Sequence, residues 1–290
     1  METGAGNKEK GRNQLTENNT AQTKDGLWDV GGKFPAGEDN KIKFAVAVAS
    51  GKGGVGKSTV SSLVAIGLQQ EGAKVGIMDA DFTGASIPRL FGLKGMAEGS
   101  KKGILPRESK LGIKIMSMNL LLVDEEQPVI WRGPLLTTAV RQFWQDVYWG
   151  ELDYLIIDLP PGTGDTSLTV MKHLPIAGIV MVSAPQDLAV LVVKRAIRMA
   201  NDLDVSLLGL VENMSYIECP QCGEKISVFG PSQAEEIVAK TGVPLLGTLP
   251  IDPQLASLCN EGRIEDWDHS LPAALARFIT GRLSVAQEGS

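Results

Sequence analysis

The sequence contains no apolar run that approaches the roughly 20 residues needed to span a bilayer, and its N-terminus lacks the apolar stretch of a signal peptide. Positive charge is also in deficit, because 28 Lys and Arg face 34 Asp and Glu, for a net charge of -6. No global field therefore attracts nucleic acid or anionic lipid. Three cysteines are too few, and odd in number, for a disulfide framework, which favours a reducing compartment. We expect a soluble cytoplasmic protein with neither nucleic acid nor membrane as a partner.

Aromatic residues make up only 5%, but hydrophobic residues reach 43% of 290 residues, enough for the core of one large α/β domain. Short β-branched runs alternate with helical patterns, which predicts a mostly parallel sheet with helices on both faces. The predicted strands are Phe44–Val48, Val75–Asp79, Tyr154–Asp158, Ile179–Ser183, Leu207–Val211 and Leu245–Leu249. The predicted helices are Ser58–Gln70, Leu135–Tyr148, Asp187–Leu203, Gln233–Lys240 and Pro272–Leu283.

The composition divides the chain into three parts. Residues 1–40 are polar with few large apolar side chains, so we expect a flexible tail. Residues 41–285 form the predicted domain, and 286–290 a short C-terminal tail. The segment 92–129 shows mixed patterns and is expected to carry peripheral strands.

A glycine-rich loop directly follows the first predicted strand. It reads Gly51-Lys52-Gly53-Gly54-Val55-Gly56-Lys57-Ser58-Thr59, which satisfies the P-loop pattern G-x-x-x-x-G-K-[ST] between a strand and a helix. Glycines let consecutive backbone N–H groups face phosphates, and the following helix adds its positive end. We expect Lys57 to hold the β- and γ-phosphates of a nucleotide and the Ser58 hydroxyl to coordinate Mg²⁺.

A second lysine, Lys52, extends the pattern to K-G-G-x-G-K-[ST]. Here the chain resembles the deviant Walker A group that includes MinD, ParA and the nitrogenase iron protein. That resemblance implies a homodimer in which Lys52 reaches the partner's phosphates, much as an arginine finger does. The alternative is an ordinary P-loop with a solvated lysine.

Two acids, Asp79 and Asp81, end the strand Val75–Asp79 at the edge of the sheet where open α/β folds bind ligands. We predict that Asp81 orients the attacking water. By resemblance to the Asp-x-Asp of MinD and ParA, Asp79 would support the Mg²⁺ shell or the loop. Acids that merely cap the helix leading to Leu90 are the alternative.

An apolar strand also ends in Asp158, as in a Walker B element, and Asp158-Leu159-Pro160-Pro161-Gly162 completes Asp-x-x-Gly. We expect Asp158 to hold Mg²⁺ through water. Gly162 would offer a free backbone N–H to the γ-phosphate and change conformation when that phosphate leaves.

The identity of the base rests on weaker signals. No Asn-Lys-x-Asp or Thr-Lys-x-Asp follows the later strands, as a related GTPase would require, so ATP is favoured. By resemblance, Asn213 and the Pro250-Ile251-Asp252 turn are adenine-side elements.

Two cysteines, Cys219 and Cys222, form a Cys-Pro-x-Cys-Gly knuckle beyond a predicted strand. Two thiolates are half of a four-ligand site, so the pair favours completion by a second subunit across a twofold axis. A structural Zn²⁺ that only fastens a dimer is the alternative. Cys259 sits in an apolar run and is expected to be a small buried residue, and His173 and His269 lack ligand-spaced partners.

Over roughly residues 41–283 the chain resembles the Mrp/ApbC family of iron-sulfur cluster carrier ATPases. The resemblance is carried by the P-loop, Asp79-Ala80-Asp81 with Ser86-Ile87-Pro88, Trp131-Arg132-Gly133-Pro134, residues 158–165, and Glu212-Asn213-Met214-Ser215 before the cysteines. It implies a [4Fe-4S] cluster bridging two subunits through Cys219 and Cys222 and handed to apo-proteins under control of ATP turnover. Two features depart from relatives: the N-terminal tail lacks a four-cysteine site, and Pro231-Ser232-Gln233 stands where many carry His-Gly-Gly-Gly.

A nucleotide-gated positioning switch of the MinD or ParA kind is the main competing function. It would require a basic amphipathic C-terminal helix or a basic surface. The last predicted helix carries only Arg277 and Arg282, which is typical of a packed terminal helix.

Overall fold

The computed structural model describes residues 33–82, 84–121, 134–162, 165–186 and 190–288. Within these ranges the strands are β1 (Lys41–Ser50), β2 (Val75–Asp79), β3 (Glu98–Ser100), β4 (Gly103–Leu105), β5 (Arg107–Glu108), β6 (Lys114–Met116), β7 (Glu151–Asp158), β8 (Ile176–Ser183), β9 (Leu207–Glu212), β10 (Ile217–Glu218), β11 (Lys225–Ile226) and β12 (Leu245–Thr248). The α-helices are α1 (Lys57–Gln70), α2 (Ile87–Leu90), α3 (Pro134–Gln145), α4 (Asp165–His173), α5 (Val190–Asp202), α6 (Ala234–Thr241), α7 (Pro253–Glu261) and α8 (Leu271–Glu288).

A central sheet of the described strands runs in the order β12-β9-β8-β1-β7-β2-β6-β5. All neighbours are parallel except β5, which is antiparallel to β6 at one edge. The parallel strands therefore end at one edge of the sheet, where ligands bind in open α/β folds. Ser50, Asp79, Asp158, Ser183 and Glu212 are the last residues of five of these strands.

Both faces of the sheet are covered by helices. Along β1, Ala45, Ala47 and Ala49 belong to one core, while Val46 and Val48 belong to the other. Helices α1, α2, α7 and α8 pack with one another on one face, and α3 contacts α4 and α5 contacts α6 on the other. This two-sided burial explains why the strands read as continuous apolar runs. No helix in the described part of the chain combines the length and apolar character that a bilayer crossing requires.

The predicted fold class is confirmed, and each predicted strand is present. Strands β1, β7, β8 and β9 have additional residues, whereas β12 ends at Thr248, one residue before the predicted end. Helices α4 and α7 were not predicted, and α2 is the helix leading to Leu90 that entered only with the capping alternative for the two acids. The segment 92–121 carries short strands: β3 and β4 form a separate pair, β5 is the edge strand of the central sheet, and β6 lies between β5 and β2. Residues 122–129 lie outside the described ranges.

Residues at the end of the predicted N-terminal tail contact the domain. Residues 1–32 of the predicted tail lie outside the described ranges, but residues 33–40 pack against the domain. Phe34 is only 4% exposed and stacks on His173 at 4.7 Å between ring centroids. Lys33 Nζ donates to the carbonyls of Met171 and Leu174 at the end of α4. The packed structure therefore starts by residue 33, and at the other end α8 continues to residue 288, into the predicted C-terminal tail.

Candidate nucleotide site and cysteine ribbon

The P-loop connects β1 to α1, as the sequence predicts. Gly54 and Gly56 adopt left-handed conformations, with φ of 82° and 76°, which a residue with a side chain rarely adopts. A Cβ at Gly56 would lie 2.2 Å from Asn213 Nδ2, so this glycine is also required for close packing. A cavity of about 260 Å³ opens over the loop and is lined by Lys52, Gly53, Gly54, Gly56, Lys57, Ser58, Thr59, Asp81 and Pro161, among others. Gly51 and Val55, with Lys52, line a second cavity of about 290 Å³ beside it.

A buried carboxylate, Asp158 at the end of β7, organises the P-loop. Lys57 Nζ lies 2.7 Å from its Oδ1, and both side chains are at most 6% exposed. The hydroxyls of Ser58 and Ser61 donate to the two carboxylate oxygens at 2.6 Å each. Lys57 therefore binds Asp158 here, beside the phosphate cavity.

The Ser58 and Asp158 pair fits Mg²⁺. Their oxygens are 2.6 Å apart at the start of α1, and a hydroxyl with a carboxylate is the oxygen donor set that this ion uses beside nucleotide phosphates. The predicted roles of these two residues remain compatible with the geometry.

Asp79 binds backbone and side-chain donors of the segments that follow β2 and β6. It pairs with Asp158 in the register of β2 and β7, is fully buried, and accepts hydrogen bonds from Asp81 N, Ser86 N, Ile87 N and Ser117 Oγ. Burial, followed by the nearby Asp158, raises the pKa of Asp79 to about 7. The carboxylate thus caps α2, as the helix-capping alternative states, and its support of a Mg²⁺ shell stays a prediction.

Asp81, by contrast, lines the phosphate cavity. It is partly exposed, and its Oδ1 accepts a hydrogen bond from Gly84 N at 3.2 Å. That position is compatible with the predicted role of orienting water.

Gly162 does not present a free N–H. Its φ is 80°, and its N–H donates to the carbonyl of Ser50 at 2.9 Å. The prediction of a free donor at Gly162 is therefore corrected: a γ-phosphate would have to displace Ser50 from it. Lys52 is exposed and lines both cavities, at the open side of the site.

The predicted adenine-side residues separate into two groups. Asn213 is buried and its Nδ2 donates to the Val55 carbonyl at 2.9 Å, so it contacts the P-loop directly. Asp252 is the N-cap of α7, where Oδ1 accepts from Gln254 N and Oδ2 from Trp267 Nε1, both at 2.7 Å. Both oxygens of Asp252 serve the fold, and Pro250 is half-buried beside that turn.

The two cysteines lie on a small hairpin, β10–β11, which we call the cysteine ribbon (residues 217–226). Cys219 N donates to Glu224 O and Gly223 N to Cys219 O, which closes the knuckle. Backbone N–H groups of Gln221 and Cys222 stabilise the Cys219 thiolate and lower its pKa, and Cys222 is exposed. Among the described residues no group of three or more His, Cys, Asp or Glu is placed to hold a metal ion, so the pair stands as two ligands.

A family model described as ParA, NUBPL iron-transfer P-loop NTPase, matches residues 41–279. The chain belongs to this family. The match spans both the P-loop and the cysteine ribbon.

Individual relatives agree with this NTPase assignment. An iron-sulfur cluster carrier protein of Clostridium perfringens is 47% identical over 78% of this chain and 82% of its own length. One of Saccharolobus solfataricus is 45% identical over 76% and 75%. A nucleotide-binding protein of Archaeoglobus fulgidus, solved in complex with ADP, is 47% identical with a TM-score of 0.72, over 79% of this chain and 90% of that one. MinD of Aquifex aeolicus, in complex with MinC, has a TM-score of 0.59 at 20% identity, over 82% and 96%, which shows the fold alone.

One contributor to this NTPase site, Ser61, and one helix start, that of α7, were missed from the sequence. Ser61 lies one helical turn after Ser58, and that spacing, i and i+3 on one helix face, was the available signal. Asp252-Pro253 is a helix start, an N-cap acid followed by proline at the first helical position, and it could have located α7. The resemblance implied a place for Asp252 beside the base, whereas its helix-start pattern indicates the cap that the structure contains.

Proposed function

We propose that this chain binds and hydrolyses ATP and carries a [4Fe-4S] cluster, bound between two copies of itself, to apo-proteins. The observation that carries the proposal is the pair of thiols, Cys219 and Cys222, which supplies half of a four-ligand site. The ribbon that holds them follows Asn213, which contacts the P-loop. The relatives named above are iron-sulfur cluster carrier proteins, and the related structure contains ADP.

We propose that the ATPase domain spans residues 33–288. At its nucleotide site, Lys57 leaves Asp158 when ATP binds and contacts the β- and γ-phosphates instead. Bound Mg²⁺, held by Ser58 and Asp158, would neutralise phosphate charge. Asp81 orients the attacking water, Asn213 supports the loop beneath the nucleotide, and Lys52 reaches toward the partner's phosphates.

A homodimer is supported by features around the cysteine ribbon. Four thiolates usually hold such a cluster, and one chain offers two at this place. Within seven residues after Cys222 in the sequence, the side chains of Ile226, Val228 and Phe229 are 51%, 48% and 41% exposed. Exposed apolar side chains close in sequence to a half-site fit a twofold interface, where the same surface meets itself. Exposed free thiols of this kind also fit a reducing cytoplasm.

The test is anaerobic reconstitution of the full chain with iron and sulfide. We expect about four iron and four sulfide per dimer, with broad visible absorption. Cys219→Ala and Cys222→Ala should each abolish the cluster, whereas Cys259→Ala, at a half-buried cysteine on α7, should load normally. Stoichiometric zinc without sulfide would support the zinc-fastened dimer instead, and a normal cluster in the Cys219→Ala/Cys222→Ala variant would exclude the ribbon as the carrier.

A further inference from the structure

Glu212, the last residue of β9, is fully buried and holds two serine hydroxyls. Ser215 Oγ donates to one carboxylate oxygen, and Ser232 Oγ donates to the other at 2.8 Å. A buried carboxylate is unfavourable unless hydrogen bonds stabilise it. Both hydroxyls therefore matter to the position of Glu212, and Glu212 in turn fixes both serines.

The two serines bracket the cysteine ribbon. Ser215 lies two residues before it and Ser232 six residues after it, so both ends of the segment 216–231, which contains the ribbon, are fastened to one carboxylate. Further bonds fix these ends: Ser215 N donates to Leu249 O at 2.9 Å, and Ser232 Oγ accepts from Ala234 N at 3.0 Å where α6 starts.

The same strand end contacts the nucleotide loop. Asn213 follows Glu212 directly, and its side chain donates to Val55 O at 2.9 Å and packs against Gly56. Its backbone N–H is fixed to Ser183 O at 2.8 Å. A change in the P-loop backbone at Val55 and Gly56 therefore displaces Asn213, the residue next to Glu212.

The connection between Asn213 and Ser215 is a single strained residue. Met214 has a φ of 57°, a left-handed conformation that side chains disfavour. Such a conformation persists where the surrounding bonds fix it, here those of Asn213 on one side and Ser215 on the other. A turn fixed in this way has little freedom to absorb a displacement of Asn213.

We propose that Glu212 is a positioning residue that couples the nucleotide site to the cysteine ribbon. Nucleotide on the P-loop fixes the Val55–Asn213 contact, and Glu212, through Ser215 and Ser232, then holds the ribbon in one arrangement. The proposal rests on the proposed function, because it takes the P-loop as a nucleotide site and the ribbon as the cluster-carrying element.

Thiol reactivity of the cluster-free, reduced full chain measures this coupling. Alkylation of Cys219 and Cys222 by iodoacetamide is followed peptide by peptide, with and without saturating Mg·ADP. We expect ADP to slow alkylation of both cysteines by about fivefold or more, the range of typical allosteric coupling. Ser232→Ala and Ser215→Ala should each reduce that ratio to near one, while ADP affinity by calorimetry stays within about twofold of the parent.

Two variants serve as controls. Ser232→Thr keeps the hydroxyl and should restore the parent ratio, because Ser232 is exposed and has room for a methyl group. Ser227→Ala changes an exposed serine of the same loop, whose backbone carbonyl accepts from Gly230 N, and should behave as the parent.

The coupling is overturned if ADP binds the parent without changing its thiol reactivity, or if either serine variant keeps the parent ratio. It is equally overturned if ADP no longer slows alkylation in Ser227→Ala. Loss of ADP affinity in Ser215→Ala or Ser232→Ala would also overturn it, since these serines would then belong to the nucleotide site. Failure to assemble a cluster, or failure of the parent to bind ADP, would instead overturn the proposed function.

Discussion

Replacing Lys57 by alanine leaves the buried Asp158 carboxylate without its ion-pair partner, 2.7 Å away. Removing one member of a buried pair destabilises a protein by about 3–5 kcal/mol. Two hydroxyl donors, Ser58 and Ser61, remain at 2.6 Å, so we expect the lower end, about 3 kcal/mol in the free energy of unfolding. The variant should also lose ATP hydrolysis, and that loss has to be corrected for its folded fraction.

The loss of stability should depend on pH through Asp79. Its pKa is about 7 in the folded protein against an ordinary 3.8, and Lys57 lowers it, so the variant raises it further. Because the folded pKa exceeds the unfolded one, protonation favours the folded state, and stability falls as pH rises from about 4 through 7 and above. The deficit of Lys57→Ala should therefore be larger at pH 8 than at pH 6.

Urea unfolding of nucleotide-free protein in EDTA, followed by tryptophan fluorescence at pH 6 and pH 8, measures both effects. Lys74→Ala is the matched control, because Lys74 is an exposed lysine 3.5 Å from the exposed Glu151, and its midpoint should not change. Parental stability of Lys57→Ala at pH 8, or a larger deficit at pH 6, would refute the reasoning.

Three further predictions follow from the described contacts. Asp81→Asn should lower kcat for ATP about 100-fold while ADP affinity in a titration stays within about twofold; weaker binding with unchanged kcat would assign Asp81 to binding. Gly56→Ala should be less stable to urea than Gly54→Ala, because both have positive φ but only the first places a Cβ 2.2 Å from Asn213; equal losses would contradict the clash. Phe34→Ala should reduce the unfolding free energy by about 3 kcal/mol, since the ring is buried on His173, and an unchanged value would return the domain boundary to residue 40.

The sequence predicted those parts of the site that depend on local pattern. A phosphate loop needs its glycines and lysine at fixed spacing between a strand and a helix, so residues 51–59 were identifiable directly. Acids at the ends of apolar strands must meet at one edge of a parallel sheet, so the strand pattern alone placed Asp79, Asp81 and Asp158 together. The cysteine pair was visible for the same reason, as a short spacing on a loop.

Only the tertiary structure decided which partners these groups take. Asp79 caps α2, Asp252 caps α7, and Gly162 donates to Ser50, each using atoms that the motif or the family resemblance had suggested for metal, base or phosphate. Asn213 and Val55 are 158 positions apart, and nothing in either local pattern specifies that bond. Polar groups buried by packing must find hydrogen-bond partners among whatever the fold brings close. That choice depends on the positions of whole strands and helices, which is why local spacing could locate the site but could not assign its contacts.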